Sequence, residues 1–503
     1  MRKQILPIAG CLCGALLTMS CNKFLDPSPT DVLTPDNFYK SKSDAISAVN
    51  GVYAQMPYTY LFWWYLTDLP CDVLFANAGF GADGHQFADY NLDKTLHWFN
   101  DEWVDFYITI DRANIVIAKV PAIQMDPTRR ASVIGEAKFL RALTYFHLVS
   151  FFGDVPLVLT EITNAAQAKL PRTPKAQVYA QIIADLQAAA QTLPASWSTN
   201  TDIGRATSGA ATALLAKVYL YQGDWNHAAQ YAGQVISSGH YSLNAVYNDN
   251  FSISKELSNP EDIFSIQYGS PETVTGVVGQ VQLLFGLPSG FPGGDAYAIE
   301  QMMPSYVNSF TATDARGDHG TFMVPPYHIA TAGYDTTLTW AVPTGAAPRK
   351  PLDETDNQNM HARSWEQQGN FQHFLRYSDV LLMYAEAVNE GGPAVGGMTA
   401  SKALDMVRQR GDSNASSTVG LSQASFRDTL RAERGKEFGL EGQCWFDLQR
   451  WGIMDAVSRA KQAELGVIAA GETSVHGAQG TPYYPIPQSQ INLDPALTQN
   501  PGW

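Results

Sequence analysis

From Ser43 onward, apolar positions recur at three- and four-residue spacing: Ile46, Val49, Val52, Tyr53 and Met56 follow the polar starters Ser43 and Asp44. That rhythm predicts an amphipathic helix. The run VIGEAKFLRALTYFHLVSFFGDVPLV predicts a second, with Ile134, Ala137, Leu140 and Leu148 along one side and a Gly-Asp stop ahead of Pro156. A third runs from about Pro174 to Leu193. The chain then repeats itself in kind. ATSGAATALLAKVYLYQGDWNHAAQYAGQVI reads as helix, tight Gly-Asp turn, helix; RYSDVLLMYAEAVNEGG with TASKALDMVRQRG follows the same plan with a longer turn. Small residues beside a large aromatic (Ala216 with Tyr219, Ala385 and Ala387 with Tyr384) let antiparallel helices approach closely, as tetratricopeptide pairs do. These pairs fall mainly within 130–240 and 370–455.

Between them, over 270–369, the helical period lapses and Gly, Pro, Thr and aromatic residues dominate, among them Tyr297, Tyr327, Tyr334, Trp340 and Trp365. A loop-rich insert with a few short strands is expected, and long irregular segments in ordered proteins tend to carry binding function.

At 503 residues the chain exceeds the length at which one hydrophobic core stops growing, so one extended layered body or several subdomains are expected. The formal net charge is −15, with no Lys/Arg-rich run, which argues against nucleic acid and favours a neutral or cationic ligand. The first 20 residues have the layout of a secretory signal: Arg2 and Lys3, then an apolar stretch from Ile5 to Met19. Three cysteines compete for a lipid-modified position. Cys11 follows the better lipobox but leaves a minimal apolar core, and Cys13 follows Leu12, a poor cleavage residue. Cys21 is therefore the expected lipidation site, with 21–40 as a Pro-containing tether and 41–503 as the body. Cys71 and Cys444 then remain, too far apart in sequence to define a disulfide framework, and no CxxC or Cys/His cluster marks a metal site.

The residue blocks CNKFLDPSPTD, EAKFLRALTYFHLVSFFGDVPLV, ALLAKVYLYQGDWNHAAQYAGQVI, RYSDVLLMYAEAVNE, ERGKEFGLEGQCWFDLQRWG and YYPIPQSQINLDPALTQNPGW, in that order, resemble the SusD/RagB family of outer-membrane nutrient-binding lipoproteins. The resemblance implies a mainly α SusD-like fold: tetratricopeptide-like helix pairs forming a scaffold, with a loop-rich ligand-binding half. It also implies an oligosaccharide or polysaccharide ligand, a SusC-like TonB-dependent transporter as partner, and attachment to the outer membrane by the lipid anchor, facing the cell exterior. Peptide import is the alternative within the same family. Cys444 departs from the basic residue the family commonly carries before WFDL, which puts one buried salt link in doubt. Acids are sparse after Cys21, so the surface-export signal is thin.

Glu433, Glu437 and Glu441, spaced by four, belong on one helix face; with Arg431 and Arg434 beside them and no His at ligand spacing, they are expected to order a helix junction. Asp89 to Asn100 begins like a calcium loop but lacks its Gly and Glu, and Asp353 to Asn357 is a weaker case still, so neither metal nor cofactor is expected. No GxSxG, HExxH, P-loop or GxGxxG stands out, and catalysis is not expected; a glycan-degrading pair of carboxylates is the alternative class.

Sugar rings offer an apolar C–H face for an aromatic plane and hydroxyls for planar polar groups. HWFNDEW supplies Trp98 as the platform and Asn100 as a polar partner just ahead of a helix, whereas Trp103 is expected to pack inside. In YLFWWYLTD, Phe62 and Tyr65 are assigned to packing and Trp64 to the platform; Asp68 and Asp72 following directly argue against a membrane role for the rings. Asp72, Asn77 and His85 are candidate polar contacts, and Tyr297 and Trp340 candidate walls from the insert.

Overall fold

The computed structural model describes residues 38–61, 63–76, 81–197, 202–268, 300–318, 320–324, 327–329, 334–336, 346–350, 371–466 and 483–503. Cys21, Phe62, Asn77, Tyr297, Trp340 and the Asp353–Asn357 run lie outside the described residues.

The N-terminal part is helical: α1 (Lys42–Tyr53), the short α2 (Met56–Thr59) and α3 (Trp63–Thr67), then α4 (Gly81–Ala88) and the long α5 (His97–Lys119). Ser41 and Asp44 close a capping box at the start of α1, satisfying donors that the first turn would otherwise leave bare. Met56 begins the separate α2 instead of continuing α1.

The central α6 (Pro127–Phe152) starts where Asp126 caps it and Pro127 fits the first turn, and it stops at Gly153, whose φ of 72° disfavours any residue with a side chain. From Gly135 onward α6 is buried almost all round, because α5 covers one side and α7 (Lys175–Thr192) the other. No described helix is long and apolar enough to cross a membrane.

Next come α8 (Ser208–Tyr221) and α9 (Trp225–Ser238), joined by the predicted tight turn, with Gly223 at φ 71° and Asp224 capping α9. Each successive helix from α5 to α9 packs on the next, the pattern of a helical repeat. A short α10 (Pro304–Val307) is followed by α11 (Tyr377–Asn389) and α12 (Ala400–Gly411), which extend the stack. α11 packs on α9, where Gly233 lies against Val395 so closely that a Cβ would stand 2.6 Å from the valine's own. The Tyr384 hydroxyl fixes the longer turn by donating to the Met398 carbonyl (2.8 Å) and accepting from the Val395 N–H (2.6 Å). The remaining helices are α13 (Gln423–Phe438), α14 (Cys444–Arg450), α15 (Met454–Glu464) and α16 (Gln488–Leu493).

Among the described residues the strands pair only in antiparallel twos: β1 (Leu74–Ala76) with β3 (Glu300–Met302), β2 (Asp262–Ile266) with β8 (Gln372–Arg376), β4 (Phe322–Met323) with β7 (Ala347–Pro348), and β5 (Tyr327–Ile329) with β6 (Tyr334–Thr336). Leu74 faces Met302 and Asp262 faces Arg376 in register, so these ribbons bring the insert's ends back to the helices.

A buried ionic seam joins the insert to the repeats. Arg376 binds Glu261, Glu437 and Glu441; Arg410 binds Glu261 and Glu437; Arg316 binds Asp314, Glu433 and Glu437. Lys350 adds Glu441 at 2.7 Å and the carbonyls of Glu437 and Gly439. The helix ends at Phe438, so Glu441 lies past it, yet all three glutamates meet at the expected junction. Arg434 belongs elsewhere: it bridges Asp379 (2.9 Å) and Asp447 (2.7 Å).

Candidate functional site

The expected platform residues meet near the start of α5. Trp64, Tyr65, Trp98 and His97 form a chain of ring contacts: Trp64 to Tyr65 at 3.9 Å and 31°, Tyr65 to Trp98 at 4.5 Å and 22°, Trp98 to His97 at 4.5 Å and 32°. Such offset packing is favourable for aromatic quadrupoles. Burial grades along it. Trp64 and Tyr65 are 5% and 6% exposed, Trp98 is half-buried, and the His97 side chain is 57% exposed.

Three expectations change here. Trp64 is not presented as a platform, because its neighbours close over it and a sugar ring has no face to reach. Trp98 and Asn100 sit in the first turn of α5, not ahead of it. The Asn100 carboxamide oxygen already accepts from Ser489 (2.7 Å) and Gln490 (2.8 Å), so it ties α16 to α5 instead of standing ready for a hydroxyl. Tyr65 and Trp103 pack inside as expected.

The polar rim beside Trp98 consists of groups not singled out in the sequence. His97 Nδ1 lies 2.9 Å from Asp101 Oδ2 and its Nε2 lies 3.7 Å from Asp83 Oδ2, with all three side chains about half exposed. His85, two residues after Asp83 on α4, lies 3.7 Å from Asp89 and is partly exposed, so it projects from another side of that helix than Asp83 does. The only sequence signal for His97 was its position next to Trp98 at the mouth of a helix.

Asp72 faces a different neighbourhood. It lines a cavity of about 290 Å³ together with Tyr306, Arg431, Cys444 and Trp451. Burial raises its carboxyl above the usual range, and burial pushes that of neighbouring Asp68 up to about 7 against the pull of the Gly442 N–H. Cys444 in place of a base leaves these acids without a cation from that position; Lys461 is nearby, but burial lowers it to about 8 and its Nζ is bonded to the Leu69 carbonyl. Among the described residues no group of His, Cys, Asp and Glu could hold a metal ion.

The described residues thus form a helical-repeat body with an aromatic and acidic rim at the start of α5. The sequence model of the SusD family matches residues 327–503, and a second, described as "Starch-binding associating with outer membrane", matches 23–220. SusD-like protein P25 of Formosa agariphila is 27% identical, covering 96% of this chain and 95% of that one. Among solved structures, a laminarin-binding SusD-like protein superposes with a TM-score of 0.75 at 25% identity, over 92% of this chain and all of the other. A SusD homologue from Bacteroides thetaiotaomicron gives 0.74 at 25% identity, over 93% and 98%. The chain belongs to the SusD-like family.

Proposed function

We propose that this protein captures an oligosaccharide or polysaccharide at the rim formed by Trp98, His97, Asp83 and Asp101, without cleaving it. It then delivers the glycan to a SusC-like TonB-dependent transporter, and Cys21 carries the lipid that holds it on the outer face of the outer membrane. The observation that carries this is the graded aromatic stack: rings buried at Trp64 and Tyr65 brace a partly open pair at Trp98 and His97, with exposed carboxylates beside them. An aromatic surface with adjacent hydrogen-bonding acids suits a sugar's apolar face and its hydroxyls. The binding named for the laminarin-binding relative supports a glycan and makes β-glucans the first ligands to try. Tyr297, Trp340 and Asn77 are retained as further contacts of this face, and His85 as a polar contact.

Titration calorimetry of the body from Asn22 with β-glucans, starches, hemicelluloses and peptides, with chain-length analysis of each glycan afterwards, tests the reading. Heat from a glycan of unchanged length is expected. A shortened glycan would identify an enzyme, and heat from peptides alone would move the protein to the peptide-import class. Delivery is tested by native extraction, in which the lipoprotein is expected to co-purify with a TonB-dependent barrel; purification free of any barrel contradicts that part.

A further inference from the structure

Two cysteines from distant parts of the chain end side by side. Cys71 sits in the turn after α3, and Cys444 opens α14, which packs on α3. The backbone is pinned there as well, since the Gly442 N–H donates to Asp68 Oδ2 at 2.8 Å. Cys71 Sγ donates to the Thr67 carbonyl at 3.0 Å, Cys444 Sγ lies 4.0 Å from the carboxylate of Asp72, the residue that follows Cys71, and each thiol is near enough to the other to shift its titration. Cys71 is fully buried. Cys444 is partly exposed and lines the 290 Å³ cavity, so a small molecule entering there reaches Cys444 first.

We propose that Cys71 and Cys444 are a redox pair that closes to an intramolecular disulfide when the folded protein meets a disulfide oxidant. The Cys444 thiolate attacks one sulfur of the oxidant, forming a mixed disulfide and releasing one thiolate, which takes up the proton Cys444 gave up. Cys71, deprotonated in turn, attacks the Cys444 sulfur and displaces the second thiol. Two cysteine thiols thereby lose two electrons and two protons, and the oxidant leaves as two thiols. Burial and the carboxylates of Asp68 and Asp72 keep both sulfurs protonated, so the folded pair closes slowly; Lys461 is the nearby cation that favours the Cys71 thiolate. Once closed, the bond staples the aromatic segment that braces Trp98 to the first turn of α14. It does not depend on what the rim binds.

The test uses the folded body incubated with 2-hydroxyethyl disulfide, quenched, alkylated under denaturing conditions, and read by intact mass and peptide mapping. Loss of both alkylatable thiols, a mass lower by two hydrogens and one cross-linked peptide pair holding Cys71 and Cys444 are expected. Cys71→Ser is expected to stop at a mixed disulfide on Cys444. A wild-type protein that keeps both thiols, or that accumulates a stable mixed disulfide on Cys444, overturns the proposal. If Cys71→Ser fails to fold, the wild-type mass and peptide map decide alone.

Discussion

The rim around Trp98 and the seam around Glu437 are held by opposite means. At the rim, rings carry the packing while the polar groups of His97, Asp83 and Asp101 stay exposed to water. In the seam, the charges are buried and each acid is shared: Glu437 alone meets Arg316, Arg376 and Arg410. An exposed carboxylate can exchange water for a ligand's hydroxyls at little cost, whereas a buried, multiply bonded one can do nothing but hold its partners. That difference is why the proposed binding falls on the rim and not on the longer acidic run, Glu433 to Glu441, which orders the junction.

The strongest way to break the contrast is Arg376→Leu. It leaves Glu261, Glu437 and Glu441 short of a cation in a buried seam, and removing one partner of a buried ion pair costs about 3–5 kcal/mol. Urea unfolding should show a matching drop in midpoint at unchanged slope. A change under about 0.5 kcal/mol, the range of ordinary surface substitutions, would mean the seam is no more than solvated surface charge.

The pH dependence sharpens the same contrast, with two acids of opposite sign. Burial alone would raise Glu437, but Arg410, Arg376 and Arg316 hold it well below the usual carboxylate range. Its stabilising contribution is therefore present above the unfolded pKa of about 4.3 and lost as pH falls towards the folded value. Asp68 is the reverse. With its folded pKa pushed up to about 7, its contribution is complete below the unfolded value and disappears as pH rises through 7. Asp68→Asn keeps an acceptor for the Gly442 N–H and removes that loss. It should be more stable than wild type at pH 8, by up to about 4 kcal/mol for a carboxyl raised from about 3.9 to about 7, and should match it near pH 4. Parallel curves for the two proteins would contradict the assignment.

The smallest effect belongs to the rim. Asp101→Asn breaks an exposed pair with His97, and such pairs are worth about 0–1 kcal/mol, so the unfolding free energy should hardly move. A loss as large as that of Arg376→Leu would erase the distinction between the two regions.

Much of the scaffold was legible because local signals set it. The polar start of α1 (capped by Ser41, two residues ahead of the expected Ser43, with Asp44), the Gly-Asp turn between α8 and α9, and the Ala-rich faces each specify structure within a few residues, and the observed α7 lies inside the predicted span. The site was less legible because its burial comes from far along the chain. Trp64 reads as a platform until distant elements close round its segment: neighbouring Trp63 meets His147, Phe374 and Phe446, so that stretch became core. Asn100 reads as a free amide until α16 arrives from the C-terminus to take its oxygen. Cys71 and Cys444 could not be paired by spacing, since only the packing of α3 on α14 makes them neighbours.

The central claim, capture at the Trp98 rim, is tested most directly by titrating one bound glycan into wild type and Trp98→Ala, with thermal unfolding of both as a control. Loss of the stacking surface should weaken binding at least tenfold, about 1.4 kcal/mol, while both proteins unfold cooperatively. Equal affinities in two well-folded proteins would show that the glycan binds elsewhere and that the aromatic stack is only packing.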